Sequence, residues 1–326
     1  MARTKIDYGI DLGTTNSAIA RMENGEPKII RIDGNKDIMP SCVGFNKKKL
    51  IQVGYPAFAN LKSDRERTAK TGNEQTNSFI EFKRTMGTDK TYYSSFMETE
   101  YNSEQLSAEV LKKLRSYVTD ENLQSVIITV PARFDIPQMD ATKRAAKLAG
   151  FEHCELLSEP IAASMAYGLN NKNKNGYWIV FDFNEGWFDT ALIRVEEGIM
   201  KVIDTDGDNY LGDVNLVMAI VDKFLLPYLQ EEYVIDSILR DNTKKHNLWE
   251  YMKIYAEEAK NQLSLKEEYN VLSCLRELTV DDNGKDIELD ITINREKLKI
   301  AIAPIFQRAI DITKDLIQRN NLSGDK

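Results

Sequence analysis

Histidine and cysteine are scarce in this chain of 326 residues, which has two histidines, His153 and His246, and three cysteines, Cys42, Cys154 and Cys274. Two histidines with so few thiols exclude a zinc cluster of the usual kind. Cysteines that are odd in number and far apart exclude a disulfide scaffold and fit a reducing, cytoplasmic setting. No apolar run approaches the roughly 18 residues of a membrane span, and nothing resembles a signal peptide. Positive charge is also short: 43 Lys and Arg stand against 51 Asp and Glu, a net charge of −8. That balance argues against nucleic-acid and anionic-membrane partners. Any phosphate site must therefore be built locally, from backbone N–H groups, lysines and a metal. What is present is ordinary for a globular chain, 42% hydrophobic and 29% charged, and long enough for about two domains or lobes.

The stretch Tyr8–Ala20 organises the rest. It reads as an apolar strand ending on Asp11, a tight turn Gly13-Thr14-Thr15-Asn16, and a second strand from Ser17. Such a turn can aim consecutive N–H groups and two hydroxyls at one point, a concavity suited to phosphate oxygens. A carboxylate at its lip has a sensible role in holding a hydrated Mg²⁺, which prefers oxygen ligands and keeps most of its waters. The same residues can also be read as a plain hairpin with a polar turn.

A third strand follows near Pro27–Arg31. Residues 33–75 read as an excursion of short strands and loops. Ser78–Met86 has Phe79, Phe82 and Met86 at helical spacing, with Gly87 as a stop, and Lys83 lies one residue past that stripe, where a lysine is ordinarily solvated. Ser103–Tyr117 reads as an amphipathic helix, Ser125–Val130 as a buried central strand, Pro137–Ala149 as a helix and Glu155–Leu157 as a strand. Glu159–Gly168 is a further helix, with proline in its first turn and glycine at its end. This β-α-β-α order argues for an α/β lobe with a mixed or parallel sheet. Glu159 sits at a strand-to-helix junction, where a carboxylate favours the positive helix end.

The polar linker Asn170–Gly176 divides the chain into a first lobe, 1–170, and a second, 171–326. Beyond it the opening pattern returns as strand Tyr177–Asp182, turn Phe183–Trp187 and strand Phe188–Val195, with Asp182 in the place of Asp11, 171 positions later. A third strand, Ile199–Asp204, again follows a Glu-Gly turn. The expectation is a duplicated lobe. Asp204–Gly212 then reads as a loop, Asp213–Glu232 and Trp249–Leu265 as helices, Tyr269–Leu275 and Ile287–Ile293 as strands around the turn Asp281–Gly284, and Asn294 as the cap of a helix ending near Arg319. With fewer core strands in the second lobe, the expectation is a chain trimmed at its C-terminus.

The motifs Ile10–Ser17, Val130-Pro131-Ala132 with Ala141-Thr142-Lys143 and Ala149-Gly150, and Ser158–Ala163 with Ala166-Tyr167-Gly168 resemble those of the nucleotide-binding domain of the DnaK, or seventy-kilodalton heat-shock, chaperones. The resemblance runs in order over nearly the whole chain. It implies an α/β actin-like ATPase fold of the ribonuclease H type, with two duplicated lobes, each a mixed sheet flanked by helices. It further implies a stress-response protein-folding role, with ATP or ADP and Mg²⁺ in the cleft and a following peptide-binding domain that meets unfolded clients and cochaperones. By matching position it gives Asp11 and Asp182 to the hydrated metal, and Gly13, Thr14, Thr15 and Asn16 to phosphate, with Gly186 and Gly212 on the facing side. Lys83 and Glu159 are given to the attacking water, with Asp189 beside metal and water. Glu257, Lys260 and Ser264 fall to the nucleoside.

The chain departs from the family where the second phosphate turn should be. Three glycines and a threonine are replaced by Asn184-Glu185-Gly186-Trp187. A side chain where the backbone needs positive φ costs about 1–2 kcal/mol. Glu185 beside phosphate would cost about 4 kcal/mol for one like-charge contact at ~4 Å and an effective dielectric of ~20, roughly a thousandfold in affinity. Trp187 fills space meant for a small hydroxyl. Asp213-Val214-Asn215 lacks the family's second glycine and glutamate, Met139 stands where an interlobe coupling arginine is expected, and Asn261 replaces a basic residue. Two readings follow: an ATPase domain with impaired hydrolysis, and a nucleotide-independent binding or scaffold module of the same fold.

Overall fold

A computed structural model describes residues 6–71, 76–168, 175–183, 187–208, 210–274 and 280–323. The chain opens as a meander of β1 (Tyr8–Leu12), β2 (Asn16–Glu23) and β3 (Glu26–Ile29). Asn24 and Gly25 join β2 to β3 with φ of 53° and 87°, the two positive values that a type I′ hairpin turn requires. The short strands β4 (Met39–Pro40), β5 (Val43–Phe45) and β6 (Ile51–Val53) lead into α1 (Tyr55–Thr71). This helix was expected to be loop. Pro56 looks like a breaker, yet it lies in the first turn, where its missing N–H costs nothing, and among the described side chains the helix buries Ala57 and Leu61 of its small apolar stripe.

Ser78–Met86 is not a helix either. Ser78 and Phe79 form β7, paired with Gly44 and Val43 of β5, and Glu81 is left-handed at φ 58°, which breaks the segment before a 3₁₀ turn at Phe82–Thr85. Phe79, Phe82 and Met86 are all buried, so the apolar spacing was real and only its backbone was misjudged. A hairpin of β8 (Thr91–Ser94) and β9 (Thr99–Asn102) precedes α2 (Ser103–Arg115), whose capping box is Asn102 with Gln105. β10 (Ser125–Val130), α3 (Ile136–Leu148), β11 (His153–Ser158) and α4 (Glu159–Gly168) complete this half. The sheet runs β11-β10-β1-β2-β3, with β1, β10 and β11 parallel and β2 and β3 antiparallel. Its alternating apolar residues pack on α2 and α3 around Ile10, Ile19, Leu111 and Ile128.

The second half repeats the meander with β12 (Gly176–Phe183), β13 (Phe188–Glu196) and β14 (Ile199–Asp208). Glu197 and Gly198, φ 51° and 80°, turn β13 into β14 as Asn24 and Gly25 turn β2 into β3. The duplication thus extends to turn type. β14 runs on through Asp208, into what had been expected to be loop. Among the described residues this sheet is antiparallel throughout, so the mixed sheet expected in each half is seen only in the first.

The helix expected over 213–232 is present as α5 (Asp213–Ile220), a π-turn (Val221–Leu225) and α6 (Leu226–Glu232). Then come a short α7 (Asp236–Arg240) that was not anticipated, and α8 (Asn242–Leu265), which starts seven residues early because Asp241 caps it. The hairpin β15 (Glu268–Cys274) and β16 (Glu288–Asn294) and the helix α9 (Arg295–Arg319), capped by Asn294, follow as read from the sequence. A separate core lies between α5, α8 and this hairpin, around Ile220, Met252 and Val271. No described helix is long and apolar enough to cross a membrane.

Leu111, fully buried, and Leu272, 69% exposed, set the scale of the packing. Leu111→Ala is expected to lower unfolding free energy by about 2–5 kcal/mol in urea titrations, and Leu272→Ala by no more than about 0.5 kcal/mol.

Candidate functional site

The loop between β1 and β2 is forced by its own geometry. A Cβ on Gly13 would stand 2.0 Å from the carbonyl oxygen of Asn16, so no other residue closes this turn. Ser41, just after β4, pins it from behind: its Oγ donates to the Gly13 carbonyl at 2.7 Å and its N–H donates to the Thr15 carbonyl at 2.6 Å. Ser17 shares a hydroxyl hydrogen bond of 2.8 Å with Ser41. Sequence reasoning missed both serines, because Ser41 meets the turn only through tertiary pairing of β4 with β2. Thr14 is buried, and its Oγ1 has no hydrogen-bond partner among the described residues. A buried polar atom left unpaired is what a ligand-binding turn presents before the ligand arrives.

Gly13, Thr14, Thr15 and Asn16 line one wall of a cleft of about 540 Å³, and Asp11, Lys83, Glu159, Asp182 and Trp187 line it with them. Asp11 ends β1 with an exposed side chain whose Oδ1 accepts a 2.8 Å hydrogen bond from Thr129 Oγ1 of β10. Asp182 occupies the equivalent end of β12, opposite Asp189 in the ladder. Lys83 is only 3% exposed. Its ammonium donates to Glu159 Oε1 at 2.6 Å and lies 5.6 Å from the ring centre of Trp187 and 5.9 Å from that of Phe134. The ordinary solvated setting of a lysine does not apply: the 3₁₀ turn points Lys83 inward, into the cleft to which the family resemblance assigned it.

Burial raises the Glu159 carboxyl above its ordinary range; Lys83 opposes the shift, and the charges of Asp11 and Asp182 add to it. Burial, reinforced by Glu159 and Asp182, pushes Asp189 up to about 6, against the pull of Arg133 and Lys83. Four carboxylates therefore share a small volume with one ammonium, a field that attracts a cation. Among the described residues no three such side chains are close enough to grip a metal directly. A hydrated ion between Asp11 and Asp182 fits this spacing better than a caged one.

The residues assigned to the nucleoside lie elsewhere. Lys260 pairs with Asp213 and, at 2.9 Å, with Glu257. Burial works against its charge, but these two carboxylates more than offset it and raise its pKa. Ser264 Oγ donates to the Asn261 carbonyl of its own helix at 2.6 Å. Gly212 caps α5, its N–H donating to Asn215 Oδ1 at 2.8 Å. None of these three lines the 540 Å³ cleft. Glu257 lines a second cavity of about 410 Å³ between α1 and α8, which shares Thr14 and Thr15 with the first. Gly186 lies outside the described residues, as do Asn184 and Glu185. Trp187 is described: it is 8% exposed, and its indole N–H has no hydrogen-bond partner. The first turn and the acid pair thus fit phosphate and a hydrated divalent ion, while the indole of Trp187 lines the same cleft.

A family model described as "Hsp70 protein" matches residues 7–326. Curated relatives named "Chaperone protein DnaK" include that of Metamycoplasma hominis, 35% identical over 289 residues, which is 87% of this chain and 45% of that protein. That of Thermotoga maritima is 33% identical over 315 residues, 95% of this chain and 48% of that protein. That of Mycoplasmopsis agalactiae is 31% identical over 307 residues, 93% and 48%. The chain spans about half the length of these relatives.

The raised Asp189 pKa has a measurable consequence. Folded protein keeps this proton up to about pH 6, whereas the unfolded chain releases it near the ordinary value of 3.8. Its contribution to stability is therefore full below that ordinary value and is lost as pH rises towards 6. Without divalent ions, Asp189→Asn is expected to remove a decline of order 3 kcal/mol in unfolding free energy between about pH 4 and 6, read from urea titrations across that range.

Proposed function

Because this chain belongs to the Hsp70 family and has its actin-like ATPase fold, we propose that it binds ATP or ADP with Mg²⁺ in the cleft between its halves and hydrolyses ATP slowly. In the full protein this would be the cytoplasmic motor of a DnaK-like chaperone, serving a peptide-binding domain, unfolded clients and cochaperones. The observation that carries the reading is the buried Lys83–Glu159 pair facing the turn that holds the unpaired Thr14 hydroxyl.

The roles follow from placement. Gly13, Thr14, Thr15 and Asn16 hold phosphate oxygens, and Asp11 and Asp182 orient the water shell of the metal. When bound, Mg²⁺ offsets phosphate charge and orders its oxygens. Lys83 fixes Glu159, and Glu159, its basicity raised by burial, would take the proton from a water beside the pair. Asp189, opposite Asp182 in the ladder, would add a carboxylate beside metal and water. Phosphoryl transfer asks for little beyond such positioning and charge stabilisation.

Slow turnover is attributed to the facing side. The Trp187 ring lies against Lys83, and its volume keeps phosphate from settling on both turns. The alternative, a nucleotide-independent scaffold, draws on this same packing. The two readings part in a repair experiment. Asn184→Gly, Glu185→Gly and Trp187→Thr together are expected to tighten Mg²⁺-ADP binding by at least about tenfold in calorimetry and to raise ATP turnover. Adding Lys83→Met is expected to remove that turnover by about a hundredfold while ADP binding persists. No gain in affinity from the triple change would locate the defect elsewhere and favour the scaffold.

A further inference from the structure

We infer that Arg133 is the positioning residue that ties the loop after β10 to strand β14 and so sets the second half of the cleft against the first. This rests on the reading above, in which that cleft holds the nucleotide. Both ends of the loop are fixed in the first half. Pro131 ends β10, and Asp135 caps α3, accepting from the Gln138 N–H at 2.9 Å while its own N–H donates to Gln138 Oε1 at 3.0 Å. Between these anchors two neighbouring side chains diverge. Phe134 turns towards Lys83 in the cleft, and Arg133 crosses to the other half, where NH1 donates to the Gly207 carbonyl at 2.8 Å and lies 3.6 Å from Asp206 Oδ1.

The point it grips is not arbitrary. Gly207 stands opposite Asp189 in the β13–β14 ladder. A Cβ there would come within 2.3 Å of the Phe188 carbonyl and 2.8 Å of Asp189 Oδ1, so β14 lies tightest against Asp189 at this residue. Arg133 therefore holds the backbone that backs Asp189, without itself lining the cleft. The other oxygen of Asp206 is held by Arg319, in the last turn of α9, which also bonds Asp204 at 2.7 Å and the Thr205 carbonyl at 2.8 Å. Arg133 and Arg319 thus share one carboxylate. Contacts run from Lys83 through Phe134 and Arg133 to Asp206 and the end of α9. A guanidinium, with its planar fork of donors on a rigid frame, suits a carbonyl and a carboxylate together better than the single nitrogen of an ammonium. Met139, at the expected coupling position, offers no such group; Arg133 does this work six residues earlier.

Hydrogen exchange read by mass spectrometry on the whole chain tests this in two arms. Without nucleotide, Arg133→Gln is expected to speed exchange over residues 199–208 about three- to tenfold, the range for a half-exposed charged hydrogen bond, and to leave 8–12 and 125–130 unchanged. Arg133→Lys is expected to resemble Arg133→Gln, and Asp206→Asn to add little to it. Unchanged exchange over 199–208, or an equal rise in β1 and β10, overturns the assignment. With saturating Mg²⁺-ADP, wild type is expected to gain protection over 199–208 and 313–319, and Arg133→Gln to keep ADP affinity within about twofold yet lose the gain over 313–319. Protection at 313–319 that survives Arg133→Gln overturns the relay. A wild type that binds no nucleotide overturns the proposed function alone, and the first arm then decides the role of Arg133.

Discussion

An ammonium that is 3% exposed and a carboxylate that is 15% exposed, 2.6 Å apart, give up most of their hydration, and each such loss costs several kcal/mol even after relaxation. The attraction between Lys83 and Glu159 offsets that cost only if neither group can drift. The structure holds both ends. Thr85, in the turn that carries Lys83, bonds the Phe82 carbonyl, the Tyr92 hydroxyl and Ser103 within 3.0 Å. Glu159 opens α4 straight from β11, where the positive end of the helix favours its charge. Removing one partner would leave the other buried and uncompensated, a loss of about 3–5 kcal/mol. The hairpin of β8 and β9 and the capping of α2 therefore serve the cleft as much as the core.

The two meanders start from one plan and end differently. Both carry the same kind of turn between their second and third strands, at Asn24-Gly25 and Glu197-Gly198. Their first turns diverge. One closes on Gly13, is pinned by Ser41 and leaves the Thr14 hydroxyl unpaired. The other ends on Trp187, whose buried indole N–H is also unpaired and whose ring lies against Lys83. An orphan hydroxyl beside a cleft is satisfied when an oxygen-rich ligand enters. An indole instead takes up volume on another wall of the same chamber. The asymmetry is thus one of volume as much as of charge.

Local patterns were legible where one residue type fixes the backbone. Gly13, the cap Asn294 and the β-branched run of β10 each predicted its own element, whereas the caps Asn102 and Asp135 emerged only in the structure. The same holds for the strand-ending carboxylates: Asp11, Asp182 and Glu159 do meet in one cleft. What failed depended on contacts distant in sequence. The helix read over Ser78–Met86 is absent because Glu81 takes a left-handed turn and Ser78 and Phe79 join β5, and neither event is written in the Phe79, Phe82, Met86 spacing. α1 hid behind Pro56. Ser41 and Asp213 act on residues 28 and 47 positions away, through pairings that no local periodicity announces.

Asp213 also changes the electrostatics of the cleft. Lys260, the cation that family resemblance would lend to a nucleoside, is committed to Asp213 and Glu257, so its charge is answered before any ligand enters. On the phosphate side the Lys83 charge is answered by Glu159. Asp11 and Asp182 line the same cleft, and Asp189 stands opposite Asp182 in the strand ladder. Like charges at ~4 Å repel by about 4 kcal/mol at an effective dielectric of ~20, so phosphate alone is unwelcome there. A divalent ion between Asp11 and Asp182 reverses that sign, and linkage then requires each ligand to strengthen the other's binding. Under the proposed function, metal and nucleotide affinity would therefore be one property, set chiefly by the carboxylates at the strand ends.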